Sequence, residues 1–88
     1  MGPHRVVITG ASGGIGRVVA QSFTGAGATV ANLDLQPDDE ARALCGPGLR
    51  TIRTDLADPA AIEAAFAAVD ALFAGAAPEA LVCCAAFS

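Results

Sequence analysis

The stretch Val6-Val7-Ile8-Thr9-Gly10-Ala11-Ser12-Gly13-Gly14-Ile15-Gly16 constrains the fold more than any other part of the chain. Its first residues are largely β-branched and read as a buried strand. A glycine turn follows, and from Ile15 the apolar residues recur at helical spacing. Strand, tight turn and helix in that order bring free backbone N–H groups and the positive end of a helix dipole to the strand's C-terminal end. In a βαβ unit such a cradle suits the pyrophosphate of a dinucleotide. The glycines stand at Gly10, Gly14 and Gly16, spaced Gly-x-x-x-Gly-x-Gly rather than Gly-x-Gly-x-x-Gly.

The rest of the chain alternates strand and helix patterns. His4 to Thr9 is predicted as the first strand. Ile15, Val18, Val19, Ser22 and Phe23 form one largely apolar helical face over Gly14 to Thr24, which Gly25-Ala26-Gly27 terminates. Ala28 to Asp34 reads as a second strand ending in an acid. Pro37 and Asp38-Asp39-Glu40 open a short helix, their charges favouring its positive end, and Gly46-Pro47-Gly48 closes it. Leu49 to Asp55 alternates apolar and polar residues as a third strand, with either face available to the core. Asp58-Pro59 is an N-cap followed by proline at the first helical position. The alanine-rich helix behind it carries Ile62, Phe66, Val69, Leu72 and Phe73 on one stripe and is predicted to end at Pro78. Ala80 to Ala86 is a fourth, almost wholly apolar strand.

The order β-α-β-α-β-α-β implies an α/β fold, a Rossmann-type doubly wound parallel sheet with strand order 3-2-1-4 and no internal domain boundary. Strands one and four are apolar enough to expect burial on both faces. The crevice between them is the topological switch point, where the glycine turn would hold its ligand. Such a sheet needs further strands to be complete. The chain therefore reads as the front part, residues 1–88, of a larger domain, with strand four an apolar edge that invites self-association or a homo-oligomer.

Composition narrows the class. In 88 residues, 53% hydrophobic and 16% charged, there is material for one small domain and little reason to expect disorder. No apolar run approaches the roughly 18 residues that span a bilayer, and no signal-peptide pattern opens the chain, so a cytoplasmic protein without membrane partners is expected. A net charge of −4 disfavours a nucleic-acid partner. Cys45, Cys83 and Cys84 form neither a disulfide framework nor a metal-type spacing with His4, and are read as buried structural thiols.

With Thr9 in front of it, the glycine pattern resembles the Thr-Gly-x-x-x-Gly-x-Gly signature of the short-chain dehydrogenase/reductase family. The resemblance covers essentially the whole chain, about a third of a typical member. It implies an oxidoreductase that transfers hydride between NAD(H) and an alcohol or carbonyl substrate. Gly10, Ser12, Gly13, Gly14, Ile15 and Gly16 would then line the pyrophosphate. Asp34 would accept hydrogen bonds from the adenosine ribose hydroxyls and favour NAD over NADP, since a carboxylate repels a 2′-phosphate, and Leu35 beside it would also belong to the cofactor site. Gly13 agrees, because NADP-using members often carry a basic residue before the second motif glycine. Asp55 and Leu56 match the pair that borders the adenine, although Asp55 could equally serve as a helix cap. Cys83, Cys84, Ala85 and Ala86 stand where the family usually has Asn-Asn-Ala-Gly, placing Cys83, Ala85 and Ala86 on the nicotinamide side.

The family's catalytic serine, tyrosine and lysine follow the fourth strand. This chain contains no tyrosine and no lysine, so no catalytic residue is assigned and a small-molecule substrate is expected only with a C-terminal part. The competing expectation is a non-catalytic NAD-binding or interaction module.

Overall fold

The computed structural model describes residues 4–11, 13–35 and 38–84. Seven elements follow one another: β1 (Arg5–Thr9), α1 (Gly14–Gly25), β2 (Thr29–Asp34), α2 (Asp38–Cys45), β3 (Leu49–Arg53), α3 (Pro59–Leu72) and β4 (Ala80–Cys83). The strands form one parallel sheet in the order β3-β2-β1-β4. Fold class and strand order are those expected from the alternation of patterns. His4, Ala28, Thr54 and Asp55 lie outside the strands assigned to them, and Ala85 and Ala86 lie outside the described residues.

The sheet sits between two helical layers. On one face Val6, Ile8, Val30 and Leu49 meet Ala20 of α1 and Ala41 and Cys45 of α2. On the other, Val7, Ala31 and Leu33 meet Ala65 and Val69 of α3 and its C-cap Phe73. The ambiguity of β3 is thereby resolved, with Leu49 in the α1/α2 core and Ile52 packed on the α3 side. Val6, Val7 and Ile8 are fully buried, and each such side chain contributes about 1.5–3 kcal/mol relative to exposure. Burial of β1 on both faces is thus as expected.

Three faces differ from expectation. In α1, Ile15 is 79% exposed and Val18 61% exposed, and the buried positions are Gly16 and Ala20, with Val19 and Phe23 partly covered. The helix turns its smallest residues inward because its first turn lies against the β1 turn. A Cβ on Gly16 would overlap the Gly10 carbonyl oxygen and sit 3.0 Å from the carbonyl carbon. In α3, Ala65 rather than the exposed Phe66 joins Val69 and Phe73 in the core. This helix also ends at Leu72, well before Pro78. Ala74 adopts a left-handed φ of 54° there, and the Gly75 N–H bonds back to the Asp70 carbonyl at 2.8 Å, a Schellman-type ending.

The third difference is β4, which is not buried on both faces. Ala80 and Val82 pack toward the α1 side, while Leu81 and Cys83 are exposed. Helix α3 packs on β2 and β3, and Leu81 and Cys83 of β4 stay outside the cluster it forms with the sheet. The expectation of three buried thiols is corrected with it. Cys45 is buried, Cys84 half-buried and Cys83 exposed.

Candidate functional site

Parallel strands present their C-terminal ends at one edge of the sheet, and the register aligns them. Thr9 pairs with Leu33 on one side and Cys83 on the other, while Asp34 pairs with Arg53. The segments leaving these ends, namely the glycine turn, Asp34-Leu35, Asp55-Leu56 and Cys83-Cys84, therefore share one side of the molecule. The sequence-predicted site residues that are described belong to these segments. Ser12, Ala85 and Ala86 lie outside the described residues.

The turn is built by backbone geometry. Gly10 takes a φ of 77°, which side-chain-bearing residues rarely adopt. Its N–H donates to the Leu33 carbonyl at 3.2 Å and its own carbonyl accepts from the Gly13 N–H at 3.3 Å. The chain then enters α1 with Gly13 as N-cap, in extended conformation, with no side-chain cap and no acidic residue in the first turn. The first N–H groups of any helix have no intrahelical partner. At α1 no acidic residue of the first turn competes for them, so they are suited to an anion.

Gly14 and Gly16 differ in what surrounds them. Gly16 is held against the turn, as noted above, whereas a Cβ on Gly14 would meet nothing within 4 Å. Protein packing thus requires the one glycine and makes no demand on the other. Open space at Gly14, beside an uncapped helix end, fits a dinucleotide pyrophosphate. Ile15, exposed on the first turn of α1, lies beside that space in the chain.

At the end of β2, Asp34 is half-buried and its Oδ1 accepts the Leu35 N–H at 2.7 Å, while its backbone carbonyl accepts the Thr54 N–H at 2.9 Å. Leu35 is exposed. Asp55 is exposed and its Oδ1 accepts the Ala57 N–H at 3.0 Å, so its carboxylate shapes the turn into α3. Leu56 is half-buried against the α3 core. Cys83 is exposed at the end of β4, and the Cys84 N–H donates to the Thr9 carbonyl at 2.9 Å.

Sequence reasoning missed Asn32. This residue is fully buried in β2; its Oδ1 accepts the Ala11 N–H and its Nδ2 donates to Thr51 Oγ1, both at 3.1 Å. The available signal was a single amide inside the apolar run Val30-Ala31-Asn32-Leu33.

The resolved titration shifts lie elsewhere. Burial pushes the Cys45 thiol up, opposed by the charge of Arg17. The Glu79 carboxyl is held below its ordinary value, chiefly by a hydrogen bond from the His4 N–H, with Arg5 adding attraction. A groove lined by Gln21, Thr24, Ala43, Cys45 and Gly48 opens at the opposite end of the strands and has no part in this arrangement. Among the described residues no group of histidine, cysteine and carboxylate side chains could hold a metal ion, and no helix is long and apolar enough to cross a membrane.

Known proteins are similar to this chain in sequence and in fold. Galactitol 2-dehydrogenase of Agrobacterium fabrum is 39% identical over 71 residues, covering 78% of this chain and 28% of the relative. A short chain dehydrogenase from Bacillus anthracis superposes with a TM-score of 0.82 at 26% identity, over 94% of this chain and 35% of that one. The 3-ketoacyl-(acyl-carrier-protein) reductase of Brucella melitensis, solved in complex with NADH, superposes with a TM-score of 0.70 at 27% identity, over 78% of this chain and 29% of that one. The chain thus spans well under half the length of these relatives. The family model described as short chain dehydrogenase matches residues 4–87, nearly the whole sequence. On the strand–turn–helix geometry and this match together, the chain belongs to the short chain dehydrogenase family.

Proposed function

We propose that the chain is the NAD-binding portion of a short-chain oxidoreductase. The observation that carries this reading is the first turn of α1: without a side-chain cap from Gly13, free of acids, and bordered at Gly14 by space that no atom of the described residues fills. In this reading the backbone from Gly13 to Gly16 binds the pyrophosphate, and Ser12 belongs to the same cradle. Asp34 and Leu35 border the adenosine ribose, Asp55 and Leu56 the adenine, and Cys83, Ala85 and Ala86 the nicotinamide side. NAD, when bound, supplies the hydride acceptor or donor. The residues present position it and supply no proton donor of the tyrosine–lysine kind, since neither residue type occurs. The substrate would meet the cofactor through chain beyond these elements.

Preference for NAD over NADP rests on Asp34, whose carboxylate at the end of β2 would repel a 2′-phosphate, and on Gly13, which carries no positive charge. The exposed edge of β4 supports self-association, because an uncovered parallel edge with Leu81 56% exposed offers both hydrogen-bonding groups and apolar area. A cytoplasmic location agrees with the cofactor, and neither nucleic acid nor membrane enters the reading.

The test is a titration with NAD and NADP before and after Asp34→Ala. A hydrogen bond to a charged group contributes roughly 1.5–3 kcal/mol, so NAD should bind about 10- to 150-fold more weakly to the variant. Discrimination against NADP should fall with it. Unchanged NAD affinity would remove Asp34 from the ribose site.

A further inference from the structure

Asn32 has a place in the fold that the reading of the site does not use. It stands in the middle of β2, opposite Ile8 of β1, and is fully buried. An amide in a strand interior is unfavourable unless its groups are paired, and an apolar residue would fill the position without that requirement. The explanation therefore lies in what the amide holds. Its Oδ1 accepts the N–H of Ala11, itself 2% exposed, and its Nδ2 donates to Thr51 Oγ1 on β3.

Two consecutive N–H groups of the glycine turn are in this way fastened to β2. The Gly10 N–H goes to the Leu33 carbonyl and the Ala11 N–H to the Asn32 side chain. Ladder geometry supplies the first bond in any parallel pair, but the second depends on one side chain. Past Ala11 the backbone leaves the sheet, and its direction there sets where Gly13 to Gly16 lie.

We infer that Asn32 is a positioning residue for the phosphate-facing turn, aiming it by the Ala11 bond and held in register itself by Thr51. The inference rests on the reading of that turn as a dinucleotide cradle. Asn32 touches no part of the ligand. Replacing it leaves a buried N–H unpaired and lets the turn adopt other paths, so pyrophosphate binding suffers while the ribose end at Asp34 keeps its geometry.

The experiment uses the full chain with Asn32→Leu and Thr51→Val, and two probes: ADP-ribose, which has the pyrophosphate, and adenosine, which lacks it. Calorimetric titration should show Asn32→Leu weakening ADP-ribose about tenfold, the scale of one hydrogen bond, with adenosine changed less than twofold. Thr51→Val should act in the same direction by about threefold, and it carries the test should Asn32→Leu fail to fold. Amide exchange at Ala11 should accelerate in both variants without ligand. Equal losses for the two probes would make Asn32 a general stabilising residue and overturn the inference, as would unchanged ADP-ribose affinity in Thr51→Val and any folded Asn32→Leu. Should the parent chain bind neither probe while exchange at Ala11 still accelerates, the cradle reading fails and takes the positioning role with it, although the hydrogen bond stands.

Discussion

Helices α1 and α3 both follow a parallel strand, yet their first turns are finished in opposite ways. At α3, Asp58 accepts the Ala60 N–H at 3.1 Å, Pro59 occupies the first helical position, and Asp55 accepts the Ala57 N–H just upstream. The protein's own carboxylates answer the positive end of that helix. At α1 the N-cap is Gly13, which offers no side-chain cap, and no acid stands in the first turn. A helix end completed by the protein has little left to offer a ligand, whereas an open one has both N–H groups and dipole available. In the proposed reading the two ends separate a structural role from a binding role within one sheet edge.

That separation is most sharply tested at Gly14, where a Cβ would meet nothing within 4 Å among the described residues. Gly14→Val should weaken NAD binding by more than about 100-fold, close to 3 kcal/mol, with circular dichroism and the thermal midpoint nearly unchanged. Normal NAD affinity in the variant would place the cradle elsewhere. Gly16→Ala tests the neighbouring position, where a Cβ would overlap the Gly10 carbonyl. Overpacking of this kind costs about 1–3 kcal/mol, so denaturant unfolding should show lost stability as well as lost binding. A stable Gly16→Ala protein with full affinity would break the distinction between the two glycines.

Asp58→Ala is the converse change. Loss of an N-cap costs about 1 kcal/mol, and the denaturation midpoint should fall while NAD affinity stays the same. Reduced NAD affinity in this variant would mean that the two helix ends are coupled. The smallest effect is expected at Glu79, which ties the segment before β4 to His4 and Arg5 at the start of β1. Its carboxyl is held below the ordinary 4.5. The stabilisation it gives is therefore complete above that value and is lost as pH falls through the lower, folded-state value. Parent and Glu79→Gln should differ slightly in thermal midpoint at neutral pH and converge on acidification below about 4.5. A difference that grows on acidification would reverse the sign of the linkage.

The glycine turn is more legible in the sequence than the faces around it. Gly10, Gly14 and Gly16 could be assigned distinct tasks from spacing alone, and the structure supports the turn at Gly10 and the close approach at Gly16. Asp58-Pro59 was readable as a helix start because cap chemistry is local. Ile15, Val18 and Phe66 belong to apolar stripes but are exposed, since periodicity identifies such a stripe without saying which of its residues meet the sheet. Close packing at Gly16 draws the small residues of α1 inward and leaves Ile15 and Val18 outside. Asn32 went unread because a lone amide in a strand gives no sign of its partners, which stand 21 residues earlier and 19 later.

By itself the sequence determined the order of elements, the parallel sheet and the glycine turn. Strand propensity, helix caps and turn residues act over a few positions, and the alternation of patterns admits few topologies. Tertiary structure alone decided which faces are covered. Strands β1 and β4 are both apolar, yet Val7 is fully buried in the cluster that α3 forms with the sheet, whereas Leu81 is more than half exposed and lies outside that cluster. It also decided that the Ala11 N–H would be met by Asn32, a pairing between groups distant in sequence that exists only once β1 and β2 lie side by side.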